Sequence, residues 1–155
     1  MLFVKIETMQ IDIIYTTITG NSETIVTALD DEFFKQGYEA DIHEFEETEL
    51  SDLNKSDIVV IVPYTYDKGT VPDESMDFFD DLNTADWSNK VCGVIGSGDK
   101  FYGKDYGKAV EKFADQVKKA GANLATAPVK IQLAIDDDDL PTIHKFVSEL
   151  LAAKN

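Results

Sequence analysis

Residues 57–63 read DIVVIVP, five β-branched aliphatic residues held between an aspartate and a proline. A run without polar alternation has no solvent face, so it reads as a strand covered on both sides, the central position of a parallel sheet. QIDIIY (10–15) and VCGVIG (91–96) repeat the signature, EADIHEF (39–45) alternates as a more peripheral strand does, and LATAPVKIQL (124–133) is a fifth strand. Pro128 within the last is tolerable only at an edge or a bulge. Amphipathic helices are expected between these runs. Residues 22–36 place Ile25, Ala28, Leu29 and Phe33 on one stripe and stop at Gly37. Residues 73–82 carry Met76, Phe79 and Leu82 at a spacing of three, residues 105–120 carry Ala109, Val110, Phe113 and Val117, and residues 140–153 bury Ile143, Phe146, Val147 and Leu150. Five strands alternating with helices imply an α/β fold of three layers, a five-stranded parallel sheet with helices on both faces and right-handed crossovers.

A chain of 155 residues suits one domain with one core. Thirty acidic against 14 basic residues give a net charge of −16, a field that repels nucleic acid and anionic membrane and favours basic partners. No metal site is expected. His43 and His144 stand far apart, and the run Asp136–Asp139 lacks the ligand spacing of a calcium loop but precedes a helix, where negative charge is favoured. The single cysteine, Cys92, lies in a strand-like run and suits burial in a reducing compartment. The apolar start MLFVKIETM is too short for a signal peptide and no later run has membrane-spanning length, so a cytoplasmic location is expected.

In a parallel sheet of this kind ligands bind beyond the carboxyl ends of the strands, where strand order reverses. Three loops matter there. TTITGN (16–21) leads from the first strand into a helix, and unpaired N–H groups at a helix start suit a phosphate, with Thr17, Thr19, Asn21 and Ser22 adding neutral donors around Gly20. A simple helix cap by Asn21 or Ser22 explains the same residues equally well. The second loop sets Tyr64, Thr65, Tyr66, Asp67, Lys68 and Gly69 after the third strand, with aromatics fit to stack on a flat ring. The third holds Ser97, Gly98 and Asp99, followed by Phe101 and Tyr102. Phosphate donors on one loop and aromatic walls on two others form a slot for a flat cofactor with a single phosphate tail.

From about residue 9 to 153 the sequence resembles the flavodoxin family, through TITGNSE (17–23), YTY (64–66) with PDE (72–74), and GSGD (96–99) with Tyr102. The fifth strand carries no long insertion, as in the short-chain type. Flavodoxins are themselves a standard example of ligand binding at the switch point, so the strand order 2-1-3-4-5 and the cofactor's place follow from the resemblance and not from the pattern. It implies non-covalent FMN, with Thr17, Ile18, Thr19, Gly20, Asn21 and Ser22 on the phosphate, Tyr66 and Tyr102 on the two ring faces, and Thr65, Asp67, Lys68 and Gly69 beside them. The backbone of Ser97, Gly98 and Asp99 would meet the pyrimidine edge. Asp67 stands where the family usually has Gly, so the turn beside flavin N5 should favour the one-electron-reduced ring less.

The implied function is that of a low-potential single-electron carrier, not an enzyme, shuttling electrons between reductases and acceptor enzymes. Its partners would be redox proteins with basic patches, met in transient complexes by a monomer. Asp67, Asp73, Glu74, Asp77, Asp99 and Asp105 would form a negative rim. A flavin-dependent NAD(P)H:quinone reductase is the alternative, although no basic cluster for nicotinamide phosphates is evident. A receiver domain would need an acidic pair after the first strand, where Tyr15 and Thr16 stand. Residues 1–8 are expected to be an N-terminal extension or an upstream start, and residues 9–155 the FMN-binding domain.

Overall fold

The structure, a computed structural model, describes residues 9–16, 20–65, 71, 73–100, 103 and 106–154, without the side chain of Glu74. The DIVVIVP run forms β3 (Ile58–Val62), all five residues fully buried. Ile58, Val60 and Val62 enter one hydrophobic core, while Val59 and Ile61 enter the other. This two-sided burial is what a run without alternation requires. β3 lies between β1 (Ile11–Tyr15) and β4 (Val91–Gly98), with β2 (Asp41–Glu44) outside β1. With β5 (Asn123–Leu124) outside β4, the order is β2-β1-β3-β4-β5 and every pairing is parallel, which is the expected architecture.

The single fifth strand expected over 124–133 is corrected to two. β5 (Asn123–Leu124) pairs with Val91 and Cys92 at one end of β4, and β6 (Val129–Gln132) pairs with Ile95 to Gly98 at the other. Ala125 N–H still donates to the Cys92 carbonyl at 3.2 Å, residues 126–128 leave the ladder, and Pro128, with no N–H to give, ends the gap. Because β6 supplies a partner, β4 runs two residues beyond the expected 91–96, through Ser97 and Gly98.

Helices α1 (Asn21–Lys35) and α4 (Leu140–Lys154) cover one face, α2 (Asp73–Asp81) and α3 (Lys108–Lys119) the other. α1 and α4 bury the stripes expected of them, except that Ala28 is only half-buried. In α2 the buried positions are Ser75 and Phe78, continued by Leu82 in the following 3-10 turn, while Met76 and Phe79 are half-buried. A helix advances 100° per residue, so strict three-residue spacing drifts off the buried face, and the four-residue step from Phe78 to Leu82 restores it. α3 begins at Lys108, three residues later than expected, behind a turn at Tyr106 and Gly107. Trp87 is buried edge-on to Phe78 at 6.3 Å, a packing role as expected. The Asp136–Asp139 run turns its carboxylates onto its own backbone: Asp138 N–H donates to Asp136 at 2.9 Å and Asp136 N–H to Asp139 at 3.0 Å, a capping box before α4.

At the amino end of the sheet two charged groups are buried. Asp12 accepts hydrogen bonds from the Ser56 hydroxyl and from Gln10 Nε2 at 3.2 Å, and pairs with His43 Nε2 at 2.7 Å. Lys90 Nζ donates to the carbonyls of Leu53, Asn54 and Ser56 at 2.7, 3.2 and 3.0 Å. Burial lowers the Lys90 pKa from its ordinary value. His144, exposed, pairs with Glu32 at 3.1 Å.

Candidate functional site

The carboxyl ends of β1, β3, β4 and β6 open onto one edge of the sheet. Tyr15 of β1 lies in register with Val62 of β3, so Thr16 and Pro63 leave the sheet side by side. The loop after β3 then runs along β4: Tyr64 bridges to Ser97, and Thr65 N–H donates to the Ser97 carbonyl at 3.2 Å. The Thr65 hydroxyl accepts from Ala109 N–H at 3.1 Å, tying this loop to the first turn of α3. The Thr24 hydroxyl, in the first turn of α1, accepts from Ile135 N–H at 3.0 Å and ties that turn to the loop after β6.

The start of α1 has the chemistry of an anion site. Gly20 is the N-cap residue with φ 74°, a left-handed conformation that favours glycine, and it has no side chain with which to cap the helix. Of the two residues expected as a plain cap, Ser22 does not act as one, since its hydroxyl has no partner among the described residues. The hydroxyls of Thr16 and Ser22 flank this turn, both residues at most 2% exposed, and neither has a hydrogen-bond partner among the described residues. Buried polar groups are nearly always satisfied, so two hydroxyls without a described partner beside a helix start are donors that a polar ligand can use. A phosphate fits this donor set, with hydroxyls and backbone N–H groups directed at its oxygens. Tyr15, beside it, has its phenol pKa raised by burial first and then by Glu44, Glu23 and Glu47, so the hydroxyl stays a neutral donor.

Of the residues expected at the site, the structure gathers Gly20, Asn21, Ser22, Thr65, Ser97, Gly98 and Asp99 at this edge. Thr17, Ile18, Thr19, Tyr66, Asp67, Lys68, Gly69 and Tyr102 lie outside the described residues. Ser97 and Gly98 are wholly buried at the end of β4, while Asp99 is half-buried. A Cβ on Gly98 would stand 3.0 Å from Gly107 N, so a larger residue there would press on that turn. Thr16 was not among the expected ligands, although it opens the hydroxyl-rich stretch and its position as the first residue beyond β1 is the signal. Gln132, at the end of β6, was not expected either. Its side chain reaches both Asp99 and Lys100.

Beside this edge, a groove of about 1150 Å³ runs between the 3-10 turns at 45–53 and α2, lined by the carboxylates of Glu46, Glu49, Asp73, Asp77, Asp80 and Asp81. All six are exposed, and they concentrate the negative field of the chain on one flank of the site. Among the described residues no helix is long and apolar enough to cross a membrane.

Comparison with known proteins agrees with this geometry. A family model described as flavodoxin matches residues 13–145. Probable flavodoxin 1 of Bacillus subtilis (strain 168) is 33% identical over 143 residues, which cover 90% of this chain and 89% of that protein. The solved structure of a short-chain flavodoxin associated with a non-canonical PDU bacterial microcompartment superposes with a TM-score of 0.92 at 37% identity, covering 96% of this chain and all of that one (100%). A Fusobacterium nucleatum flavodoxin bound to flavin mononucleotide shares the fold with a TM-score of 0.75 at 18% identity, covering 94% of this chain and 99% of that one. By sequence pattern, sheet order and match over most of its length, the chain belongs to the flavodoxin family.

Proposed function

We propose that this chain is an FMN-dependent electron carrier and not an enzyme, as its family membership supports. The observation that carries the cofactor reading is the pair of buried hydroxyls, Thr16 and Ser22, without a partner among the described residues at the start of α1. There the Thr16 and Ser22 hydroxyls and the N–H groups beginning at Gly20 would hold the phosphate, with Thr17, Ile18, Thr19 and Asn21 completing the loop. Tyr66 and Tyr102 would cover the ring, and Thr65, Asp67, Lys68, Gly69 and the Ser97 to Asp99 segment would border it. FMN supplies one-electron chemistry at low potential. The residues of this chain keep that potential low: a net charge of −16 and a carboxylate-lined flank oppose each added negative charge.

The same carboxylates suit partners with basic patches, met in short-lived complexes by a monomer, since surface charge speeds encounter more than it strengthens the complex. The free, buried Cys92 thiol suits the cytoplasm. Residues 9–155 would fold as the FMN-binding unit. The visible spectrum of the purified protein tests the reading. Flavin absorbance that survives dialysis and bleaches in single-electron steps is expected, and a colourless protein that takes up no added FMN overturns it. Rapid bleaching by NADPH alone would instead favour the quinone reductase.

A further inference from the structure

We propose that the end of β6, through Gln132 and the turn at Leu133, positions residues 97–100 for the flavin ring; this role rests on the FMN-binding reading above. Four consecutive residues of the segment are each bonded to these two. The Ser97 hydroxyl donates to the Leu133 carbonyl at 2.6 Å, and Leu133 N–H donates to the Gly98 carbonyl at 2.9 Å. Gln132 Nε2 donates to Asp99 Oδ1 at 3.4 Å, and Gln132 Oε1 accepts from Lys100 N–H at 2.7 Å. The Leu133 to Gly98 bond continues the parallel ladder, and the three side-chain bonds carry the hold past the strand end to Asp99 and Lys100.

The backbone at Leu133 shows that this contact is held against a local preference. Among the described residues it is the one non-glycine with positive φ, 56°, a conformation that leucine adopts only at a cost. Its side chain is 41% exposed, so deep burial is not what fixes it. The two hydrogen bonds on either side of the residue are. The Gly107 backbone also lies against Gly98, where a Cβ would stand 3.0 Å from Gly107 N. Lys100 and Lys130 place their Nζ atoms 5.9 and 6.0 Å from the Tyr106 ring, linking the segment and β6 to the turn before α3. Gln132 and Leu133 are positioning residues, acting on a ligand through the segment they hold.

The test compares the full chain with Gln132→Ala and Ser97→Ala by amide hydrogen exchange of the apoprotein and by titration with FMN, riboflavin and inorganic phosphate. Exchange of the Lys100 amide in Gln132→Ala should rise about tenfold, and FMN and riboflavin affinities should fall together by about tenfold in both variants, the loss of one hydrogen bond. Phosphate affinity should not move, because that end of the site is untouched. Leu133→Gly, which relieves the positive φ and keeps both backbone bonds, should hold both flavin affinities within about twofold. A loss there would make the leucine side chain the agent and overturn the backbone mechanism. Wild type that binds both flavins beside variants that bind them equally well overturns the positioning role alone. Wild type that binds neither overturns the FMN reading, and this inference with it.

Discussion

At the amino end of the sheet the buried Asp12 carboxylate meets Ser56, His43 and Gln10, and the buried Lys90 ammonium meets three carbonyls. At the carboxyl end Thr16 and Ser22 are buried as deeply and meet no described partner. The same chain thus satisfies its hardest groups, two charges, and leaves two easy ones, hydroxyls, unmet. An orphan buried hydroxyl costs about 1–3 kcal/mol. The difference teaches that, among the described residues, the amino end supplies its own partners while the carboxyl end leaves donors that a ligand can use.

The sharpest way to break the comparison is at its satisfied end. Asp12→Ala should lower the apoprotein's unfolding free energy in urea by about 3 kcal/mol or more, because three donors lose their acceptor in a buried place. FMN affinity should be unchanged, and a matching loss of affinity would show that the two ends are coupled. At the other end the signs should reverse. Ser22→Ala removes an orphan, so the apoprotein should unfold at equal or higher urea, by up to about 1 kcal/mol, while the FMN dissociation constant rises about tenfold. Thr16→Val should behave the same way, and a destabilised apoprotein in either would mean that the hydroxyl has a protein partner after all.

A pH-dependent effect separates burial from ligand binding. Burial pushes the Cys92 thiol up from 9.0 to about 12, with no role at the site. The folded chain keeps that proton while the unfolded chain gives it up, so stability attributable to Cys92 falls as pH rises above about 9 and the fall ends near 12. Unfolding curves of Cys92→Val should lack this component of the alkaline slope. Equal slopes in the two proteins would place the thiol in water.

How much of this was legible in the sequence varies with how local the signal is. β3 and the stripe of α1 were readable because a continuous apolar run and a 3.6-residue period each report their own burial. The helix start at residue 21 was readable as a possible anion site for the same reason. The choice between a cap and a ligand was not, since it depends on where two hydroxyls point. The split of the fifth strand was signalled by Pro128, but composition does not say which residues of β4 each half will meet. Asp12 and His43, 31 residues apart, become partners only when β1 and β2 lie side by side. Nothing in the sequence around Leu133 announces a left-handed backbone, because leucine is not a residue that seeks one.

The gap between β5 and β6 has an engineering consequence. Ala127 and Pro128 are both exposed and stand where the ladder on β4 is already interrupted. Extra chain spliced between them would sever no strand pairing, and its closure penalty would grow only slowly with length. A short Gly/Ser segment placed there should leave the unfolding free energy within about 1 kcal/mol of the parent, whereas the same segment inside β6 should not be tolerated. The interruption is a graft point, through which a reporter, tether or electrode anchor could be carried on the edge of the sheet while the strands on either side keep their register.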